Sequence, residues 1–514
     1  MNARFITRVR VVTFFCLLAA LIIIAKLYYL QVMHGAEYAR RADAQSVELK
    51  NPLLNRGTIY FSGKDGTLIT AATLRGVGTS MASTSSPQAT EHQRYYPGGS
   101  LAARTLGFVA YNNDNEQKGR YGLERYYDQT LSRSGEDSYA NFFVELFGGF
   151  AGAWGAGGQK GDLLTTIEPS VQAELERTLL LYDAAWHPAL AGGIIMDPAT
   201  GEVAAMALLP TFDLNFFNQQ KDPLVFANPL VDGVFEMGSI IKPLTIAAGL
   251  DSGAITEAST YNDTGTITFD GKPISNFDGV ARGVIPVQQI LSQSLNVGSA
   301  YVATKIGPER FRDYFLNHYK LGTETGIDLP GEVHGLVQNL QSPRQVEYAT
   351  AAFGQGIALT PVETVRALAS LGNGGFLVTP HLVRAIKYDS GVTRALSWGE
   401  PVPTLKPGTS VAISRMLTAV VDTTLAHGTL KMERYSIAAK TGTAQMADPN
   451  GGGYYADKYL HSFFGYFPSY APKFVVFLFA TEPKGAPYSS QTWAPPFGSL
   501  VKFLINYYNI PPDR

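Results

Sequence analysis

Three short segments of the chain carry side chains that together could perform nucleophilic catalysis. They read S-I-I-K at residues 239–242, S-L-N at 294–296 and K-T-G at 440–442. Residues three apart lie on one face of a helix, so Lys242 is expected beside the hydroxyl of Ser239. A serine hydroxyl is a weak nucleophile until a neighbouring base removes its proton. The spacing therefore predicts Ser239 as the nucleophile and Lys242 as its base.

The other polar positions of these segments suit supporting roles. A lysine acts as a base only when burial or nearby positive charge lowers its pKa, and Lys440 could supply that charge. Ser294 could relay protons, while Asn296 could hold both Lys242 and a substrate amide.

The third segment reads as part of a strand at residues 437–444. Gly442 would let a substrate backbone approach this strand closely. The hydroxyls of Thr441 and Thr443 could bind a carboxylate, and the backbone N–H groups of Ser239 and Thr443 could form an oxyanion hole. The segment therefore predicts a substrate-binding strand beside the nucleophile.

A further S-x-x-K copy occurs near the C-terminus. Ser499 and Lys502 repeat the spacing, but no S-x-N or K-T-G segment follows them. They lie in an apolar helical pattern, so we interpret this copy as part of an ordinary helix. The ordered set of three segments is far more specific than any one of them.

Strand patterns enclose a long helical region in the part of the chain that carries these segments. Alternation and turn residues predict a hairpin with strands at 191–196 and 203–207, and further strands at 437–444 and 474–480. Helical patterns dominate from about 238 to 375, and another closes the chain. We therefore predict an α+β domain, an antiparallel sheet flanked by helices, completed by pairing of its N- and C-terminal strands.

The N-terminal apolar run and the strand patterns predict the domain organisation. Arginines in residues 1–10 favour a cytoplasmic tail, and residues 11–32 are long and apolar enough for a transmembrane helix. A cleaved signal peptide is the alternative, although no suitable cleavage site follows the run closely. Residues 33–162 are predicted to form a mixed, extended pedestal domain, and residues 163–514 the catalytic domain.

Composition argues against several classes of function. The chain has 514 residues, 45% hydrophobic and 16% charged, with a net charge of −2, so nucleic acid is not an expected partner. The single cysteine, Cys16, lies in the apolar run, and we predict neither a metal site nor a cofactor. Residues 141–158 are apolar but hold six glycines, which favours a flexible or membrane-touching loop over a second span.

The stretch E-M-G-S-I-I-K-P at residues 236–243 resembles the E-P-G-S-x-x-K-P stretch of class B penicillin-binding proteins, with Met237 where proline is usual. The resemblance extends over essentially the whole chain. Phe61 and Ser62 depart from it, because an Asp-Arg pair is usual there. Other similar stretches are M-D-P-A-T-G-E at 196–202, T-G-I-D-L-P-G-E at 325–332, F-G-Q-G-I at 353–357, and weaker pedestal echoes at 56–59, 94–99 and 119–124.

The resemblance implies a peptidoglycan D,D-transpeptidase of the cell-division or elongation type. Ser239 would attack the penultimate D-Ala carbonyl of a stem peptide, and the amine of a neighbouring stem would resolve the acyl-enzyme. Lys440, Thr441, Gly442 and Thr443 would bind the terminal carboxylate, or that of an inhibitory β-lactam antibiotic. The donor lies outside the membrane, which implies a single-pass protein with its N-terminus inside and its catalytic domain outside. A polytopic membrane glycan polymerase is the implied partner.

Two alternative functions stay open. A D,D-carboxypeptidase or β-lactamase would hydrolyse the acyl-enzyme with water. Asp313 and Asn317 superficially echo the Glu-x-x-x-Asn element that activates water in class A β-lactamases, but Phe315 and Leu316 between them suit helix packing. A non-catalytic β-lactam sensor would keep the fold, although the intact catalytic segments favour activity.

Overall fold

The structure is a computed structural model, and it describes residues 56–77, 91–111, 117–133, 160–448 and 451–514. The predicted tail and transmembrane helix at residues 1–32, with Cys16, and the apolar segment 141–158 lie outside the described residues. Within the described ranges, no helix is both long and apolar enough to cross a membrane.

The secondary structure of these ranges is mixed. The strands are β1 Ile59–Ser62, β2 Leu68–Val77, β3 Glu91–Tyr95, β4 Val109–Tyr111, β5 Gln117–Gly119, β6 Gly161–Thr165, β7 Leu190–Met196, β8 Val203–Leu209, β9 Thr260–Asp263, β10 Thr266–Phe269, β11 Lys272–Ser275, β12 Gly283–Pro286, β13 Phe376–Leu377, β14 Val383–Tyr388, β15 Thr393–Ala395, β16 Val402–Pro403, β17 Ala438–Ala447, β18 Tyr454–Phe467 and β19 Phe474–Thr481. The α-helices are α1 Ala103–Leu106, α2 Gly122–Tyr126, α3 Asp128–Leu131, α4 Pro169–Trp186, α5 Pro229–Asp232, α6 Lys242–Asp251, α7 Gln288–Ser292, α8 Asn296–Ile306, α9 Pro308–Asp313, α10 Gln345–Ala351, α11 Pro361–Ala369, α12 Pro407–Thr423 and α13 Ser489–Tyr508.

The catalytic half is built on a five-stranded antiparallel sheet with the order β17-β18-β19-β7-β8. The predicted hairpin is β7 and β8, and the predicted C-terminal strands are β17 and β19. Strand β7 pairs with β19, from Met196 opposite Val475 to Leu190 opposite Thr481. The predicted pairing of N- and C-terminal strands, and with it the α+β fold, is therefore confirmed. Strand β17 lies at the edge of the sheet.

Helices cover both faces of this sheet, as adjacent residues of β18 show. A β-carbon on Gly465 would lie 2.5 Å from the ring of Phe497 on α13. The next side chain, Tyr466, lies against Gly372, just after α11. Because successive residues of a strand face opposite sides of the sheet, α13 and the end of α11 lie on opposite faces.

A second sheet joins the pedestal to later parts of the chain. Its six strands have the order β15-β14-β6-β1-β2-β3. Strand β6 runs parallel to β1 and antiparallel to β14. Strand β14 belongs to the part of the chain that follows the second catalytic segment. Since β6 spans the predicted boundary at residue 163, chain from both sides of that boundary shares one sheet. The domain limits 33–162 and 163–514 stay predictions.

The region from 238 to 375, in which helical patterns were expected to dominate, contains two short strand pairs. Strand β9 pairs with β12, and β10 pairs with β11. Gly265 and Gly271 at their turns have φ of +74°, a conformation that favours glycine. The prediction misses these strands, because turn glycines and threonines outweigh apolar periodicity there.

A buried ion cluster holds the pedestal together. The carboxylate of Glu124, which is fully buried, accepts from Arg56 Nε at 2.7 Å and from Arg94 Nε at 2.6 Å. Arg56 also pairs with Asp128 at 2.9 Å. Burial raises the pKa of Glu124, but the charges of Arg94 and Arg56 outweigh burial and hold it below its usual value. Glu124 therefore bridges two buried guanidinium groups, and Asp128 adds a second negative charge beside Arg56.

Replacing Glu124 by glutamine should destabilise the protein by about 3–5 kcal/mol, because the buried Arg94 loses its counter-charge and the buried Arg56 keeps only Asp128. Thermal unfolding of the variant measures the loss. Glu257→Gln is the matched control, since Glu257 pairs with Arg415 at the surface and should change stability by less than about 1 kcal/mol. Equal, small effects of both changes would contradict this role for Glu124.

Candidate active site

The predicted nucleophile lies in a tight turn that leads into α6. A 3₁₀ helix spans Gly238–Ile241 and continues directly into α6, which begins at Lys242. Gly238 has φ of +65°, and a β-carbon there would come within 3.1 Å of the Thr443 carbonyl oxygen. Gly238 therefore packs against β17, and the half-buried Ser239 follows it directly. The two segments that carry the predicted oxyanion-hole N–H groups lie side by side.

The two predicted catalytic lysines end at the same serine. Lys242 Nζ donates to the Ser294 carbonyl and to Asn296 Oδ1 at 2.8 Å, and it lies 3.3 Å from Ser294 Oγ. From β17, Lys440 Nζ donates to Ser294 Oγ at 3.0 Å and to the Thr441 carbonyl at 3.0 Å. The structure thus brings together one residue or more from each of the three sequence segments.

Both lysines lie in the interior, and this changes their protonation. Lys242 is 0% exposed and Lys440 is 2% exposed. Burial, and then the charge of Lys440, lower the pKa of Lys242 well below its usual value. Burial lowers the pKa of Lys440 to about 7. A neutral Lys242 near neutral pH is what a general base for a serine hydroxyl requires.

The backbone at Ser294 is what places this residue between the lysines. Ser294 has φ of +57°, in the left-handed region that few non-glycine residues adopt. Helix α8 begins two residues later at Asn296, whose Nδ2 donates to the Ser275 carbonyl at 3.0 Å. An amide has two N–H donors, so one remains for a substrate carbonyl. The position of Asn296 is consistent with both of its predicted contacts.

The threonines of the third segment lie half-buried along β17. Thr443 Oγ1 accepts a hydrogen bond from the backbone N–H of Ser489, the first residue of α13, at 3.1 Å. Accepting leaves its own proton for donation to a carboxylate. Thr441 alternates with Gly442 along the strand, so Thr441 and Thr443 share a face. Their predicted role in carboxylate binding stays a prediction.

The structure shows a packing reason for glycine at position 442 that the sequence does not reveal. A β-carbon at this position would lie 2.2 Å from Ser462 Oγ and 2.6 Å from the Met237 carbonyl oxygen. Glycine is therefore required for β17 to pack on the turn that carries the nucleophile. The expected close approach of a substrate backbone is not needed to explain it.

Two serines that position the site were not identified from the sequence. Ser462 Oγ on β18 donates to the Met237 carbonyl at 2.8 Å, and Ser489 Oγ donates to the Ser462 carbonyl at 2.7 Å. Both side chains are fully buried. They connect the nucleophile turn, β18 and α13. No local signal marks them, because their role depends on strand pairing between distant segments.

The C-terminal S-x-x-K copy lies apart from this cluster. Ser499 and Lys502 are exposed on α13, and Ser499 Oγ donates to the Pro495 carbonyl. Their interpretation as ordinary helix residues agrees with the structure.

Asp313 and Asn317, whose spacing is similar to a water-activating element of β-lactamases, are also ordinary helix residues. Asn317 donates to Asp313 Oδ1 at 2.7 Å across one exposed turn, while Phe315 between them is fully buried. The interpretation of this stretch as helix packing agrees with these contacts.

Replacing Gly442 by alanine should destabilise the protein by about 1–3 kcal/mol, because the new methyl group overlaps Ser462 and the Met237 carbonyl. Gly408→Ala is the matched control: it lies in α12 with open space around it, and alanine should stabilise that helix slightly. Denaturant unfolding measures both changes. An unaltered stability of Gly442→Ala would show that β17 can move away from the nucleophile turn.

Comparison with known sequences places this arrangement in a family. The family model described as "Penicillin binding protein transpeptidase domain" matches residues 191–502. Stage V sporulation protein D of Bacillus subtilis is 29% identical over 431 residues, which are 82% of this chain and 65% of that protein. Peptidoglycan D,D-transpeptidase FtsI of Escherichia coli K12 is also 29% identical, over 82% of this chain and 68% of its own. The chain thus spans about two thirds of the length of these relatives.

Solved structures agree with this assignment. Penicillin binding protein 3 of Mycobacterium tuberculosis superposes with a TM-score of 0.75 at 25% identity, covering 90% of this chain and 97% of that one. The same protein has been solved in complex with aztreonam and with ampicillin. The region matched by the family model contains the nucleophile turn, both lysines and nearly all of the five-stranded sheet. By sequence and by fold, the chain belongs to the penicillin-binding protein transpeptidase family, and the resemblance to its class B members is confirmed.

Proposed function

We propose that this chain is a peptidoglycan D,D-transpeptidase that cross-links stem peptides through an acyl-enzyme on Ser239 and is inhibited covalently by β-lactams. The observation that carries the proposal is the convergence on Ser294 of Lys440 and of Lys242, which follows Ser239 by one helical turn. A relative that carries the name peptidoglycan D,D-transpeptidase supports the substrate class.

The reaction begins when neutral Lys242 takes the proton of Ser239. The serine oxygen attacks the carbonyl of the penultimate D-Ala, and the backbone N–H groups of Ser239 and Thr443 stabilise the resulting oxyanion. The peptide bond to the terminal D-Ala then breaks. Its leaving nitrogen takes up a proton from Lys242, by way of Ser294, whose hydroxyl contacts both lysines.

The acyl-enzyme is resolved by the amine of a second stem. That amine attacks the ester carbonyl and gives up a proton to Lys242, and the ester bond to Ser239 breaks with return of a proton to the serine. One peptide bond is thus exchanged for another, and no cofactor takes part. Thr441, Thr443 and Lys440 hold the terminal carboxylate of the donor during acylation, or that of a β-lactam.

A fluorescent penicillin should label the detergent-solubilised protein once, at Ser239. Intact-mass analysis and peptide mapping identify the adduct, which should be absent from Ser239→Ala. Ser499→Ala is the matched control and should label normally, because Ser499 is exposed on α13. Labelling at Ser499 would overturn the assignment of the nucleophile. Rapid turnover of the adduct would favour a β-lactamase instead.

Replacing Lys440 by glutamine should shift the pH dependence of acylation. The charge of Lys440 lowers the pKa of Lys242, so its removal raises that pKa, and a higher pH is needed for a neutral base. We expect the acid limb of the penicillin acylation profile to move to higher pH. Lys502→Gln, at an exposed site, should leave the limb in place. A slower rate with an unshifted limb would contradict this role.

We further propose that residues 11–32 anchor the chain in the cytoplasmic membrane, with residues 1–10 inside and the catalytic domain outside. The apolar run, which is uncharged from residue 11 to residue 25, and the arginines before it support this orientation. It also puts the catalytic domain on the side where the stem peptides lie.

A polytopic membrane glycan polymerase is the proposed partner, because a transpeptidase needs glycan strands made nearby. Ala19 and Ala20 give the proposed anchor a patch of small residues, and Tyr28 and Tyr29 suit the membrane interface. Full-length protein purified from its native membrane should carry the polymerase with it. Replacement of residues 11–32 by an unrelated span should weaken capture. Failure of the full-length protein to capture any polymerase would contradict the partnership.

A further inference from the structure

Helix α8 begins with Asn296, the last residue of the second catalytic segment, and it has no cap of its own. Its N-cap residue is Leu295, whose side chain cannot accept a hydrogen bond, although the first N–H groups of a helix need acceptors from outside it. Asn276 Oδ1 supplies one by accepting from the Val297 N–H at 3.1 Å. The carbonyl of Ser275 accepts from Asn296 Nδ2 at 3.0 Å. Two consecutive residues at the end of β11 therefore hold two consecutive residues of α8.

A buried carboxylate fixes the orientation of the amide that caps α8. Asp263, at the end of β9, is 0% exposed, and Asn276 is 3% exposed. Asn276 Nδ2 lies 3.0 Å from each oxygen of Asp263. A carboxylate only accepts hydrogen bonds, so the amide must turn its NH₂ group to Asp263 and its oxygen to the Val297 N–H. The reversed amide would place two donors against each other at α8 and acceptors against each other at Asp263.

The two short strand pairs between residues 260 and 286 hold this carboxylate and amide in place. The backbone N–H of Asn276 donates to the Gly265 carbonyl at 2.9 Å. Arg282 approaches Asp263 to 4.0 Å, and its Nε donates to Gln293 Oε1 at 2.9 Å. Gln293 immediately precedes the second catalytic segment, and the residue that Asn276 caps immediately follows it. The strand pairs therefore hold this segment at both of its ends.

We infer that Asp263 and Asn276 are positioning residues for the second catalytic segment. Asp263 orients the Asn276 amide, and that amide holds the start of α8, so that the second N–H of Asn296 is available to a substrate carbonyl. Ser294, two residues earlier, is thereby kept between the two lysines. The inference rests on the proposed function, because it assigns the pair to the same reaction. Both residues act through this segment and not by contact with substrate.

The test compares acylation of Ser239 by benzylpenicillin, which has a side-chain amide, with acylation by 6-aminopenicillanic acid, which has none. The ratio of the two rates is the readout, because Asn296 can favour only the first compound. Asp263→Asn should lower this ratio by about tenfold, since the Asn276 amide is then free to reverse and the cap of α8 is lost. Asn276→Asp should also lower it, since two carboxylates then face each other without a donor between them. Asn262→Asp, at an exposed position of β9, is the matched control and should leave the ratio unchanged.

The double change of Asp263→Asn with Asn276→Asp exchanges the carboxylate and the amide between the two positions. The new carboxylate accepts from the Val297 N–H with one oxygen and from the new amide at position 263 with the other. It also places the negative charge nearer to a helix N-terminus, where such a charge is favoured. The double variant should therefore recover the ratio to within about threefold of the wild-type value.

A double variant that is no better than the poorer single variant overturns the inference. Single changes that lower both rates equally, or lower neither, also overturn it, because the pair would then stabilise the fold at most, without positioning Asn296. If Asn276→Asp does not fold, comparison of Asp263→Asn with the double variant still decides. Absence of Ser239 acylation by either compound in the wild-type protein would instead reject the proposed function, so the two failures are distinguishable.

Discussion

Two lysine side chains end at one serine in the interior of this protein, and most features of the site follow from that contact. Moving an ammonium group out of water costs several kcal/mol, and a second positive charge nearby adds repulsion. Burial, and then the charge of Lys440, lower the pKa of Lys242 and so favour its neutral form, and hydrogen bonds from Lys242 and Lys440 to Ser294 fix both nitrogens. The same burial that opposes charge on Lys242 makes it suitable as a base.

Several unrelated elements have to meet for this contact to form. Lys242 begins α6, Ser294 adopts a left-handed backbone just before α8, and Lys440 comes from the edge strand β17. The edge strand can approach the nucleophile turn only because Gly442 has no side chain. Hydrogen bonds of Ser462 then tie that turn to β18. The geometry of the site therefore depends on packing at the edge of the sheet and not on any single sequence motif.

The chemistry predicted from the sequence depends on residue type, and for that reason the sequence was informative about it. A serine with a lysine three residues later, and a second lysine on a strand, are recognisable without a structure. The packing role of Gly442 and the bonds of Ser462 were not recognisable, because each depends on pairing between distant segments. The strands between residues 260 and 286 were missed for a different reason, since turn glycines there outweigh the surrounding helical pattern.

Burial, and then the charge of Lys440, hold the pKa of Lys242 well below its usual value, and titration of this side chain tests the account of the site most directly. NMR of the protein labelled at the ε position of lysine would follow that titration, with the Lys242 signal identified by its absence from Lys242→Met. The structure predicts a midpoint well below the usual lysine value of 10.5. A Lys242 signal that titrates at that usual value would contradict this account.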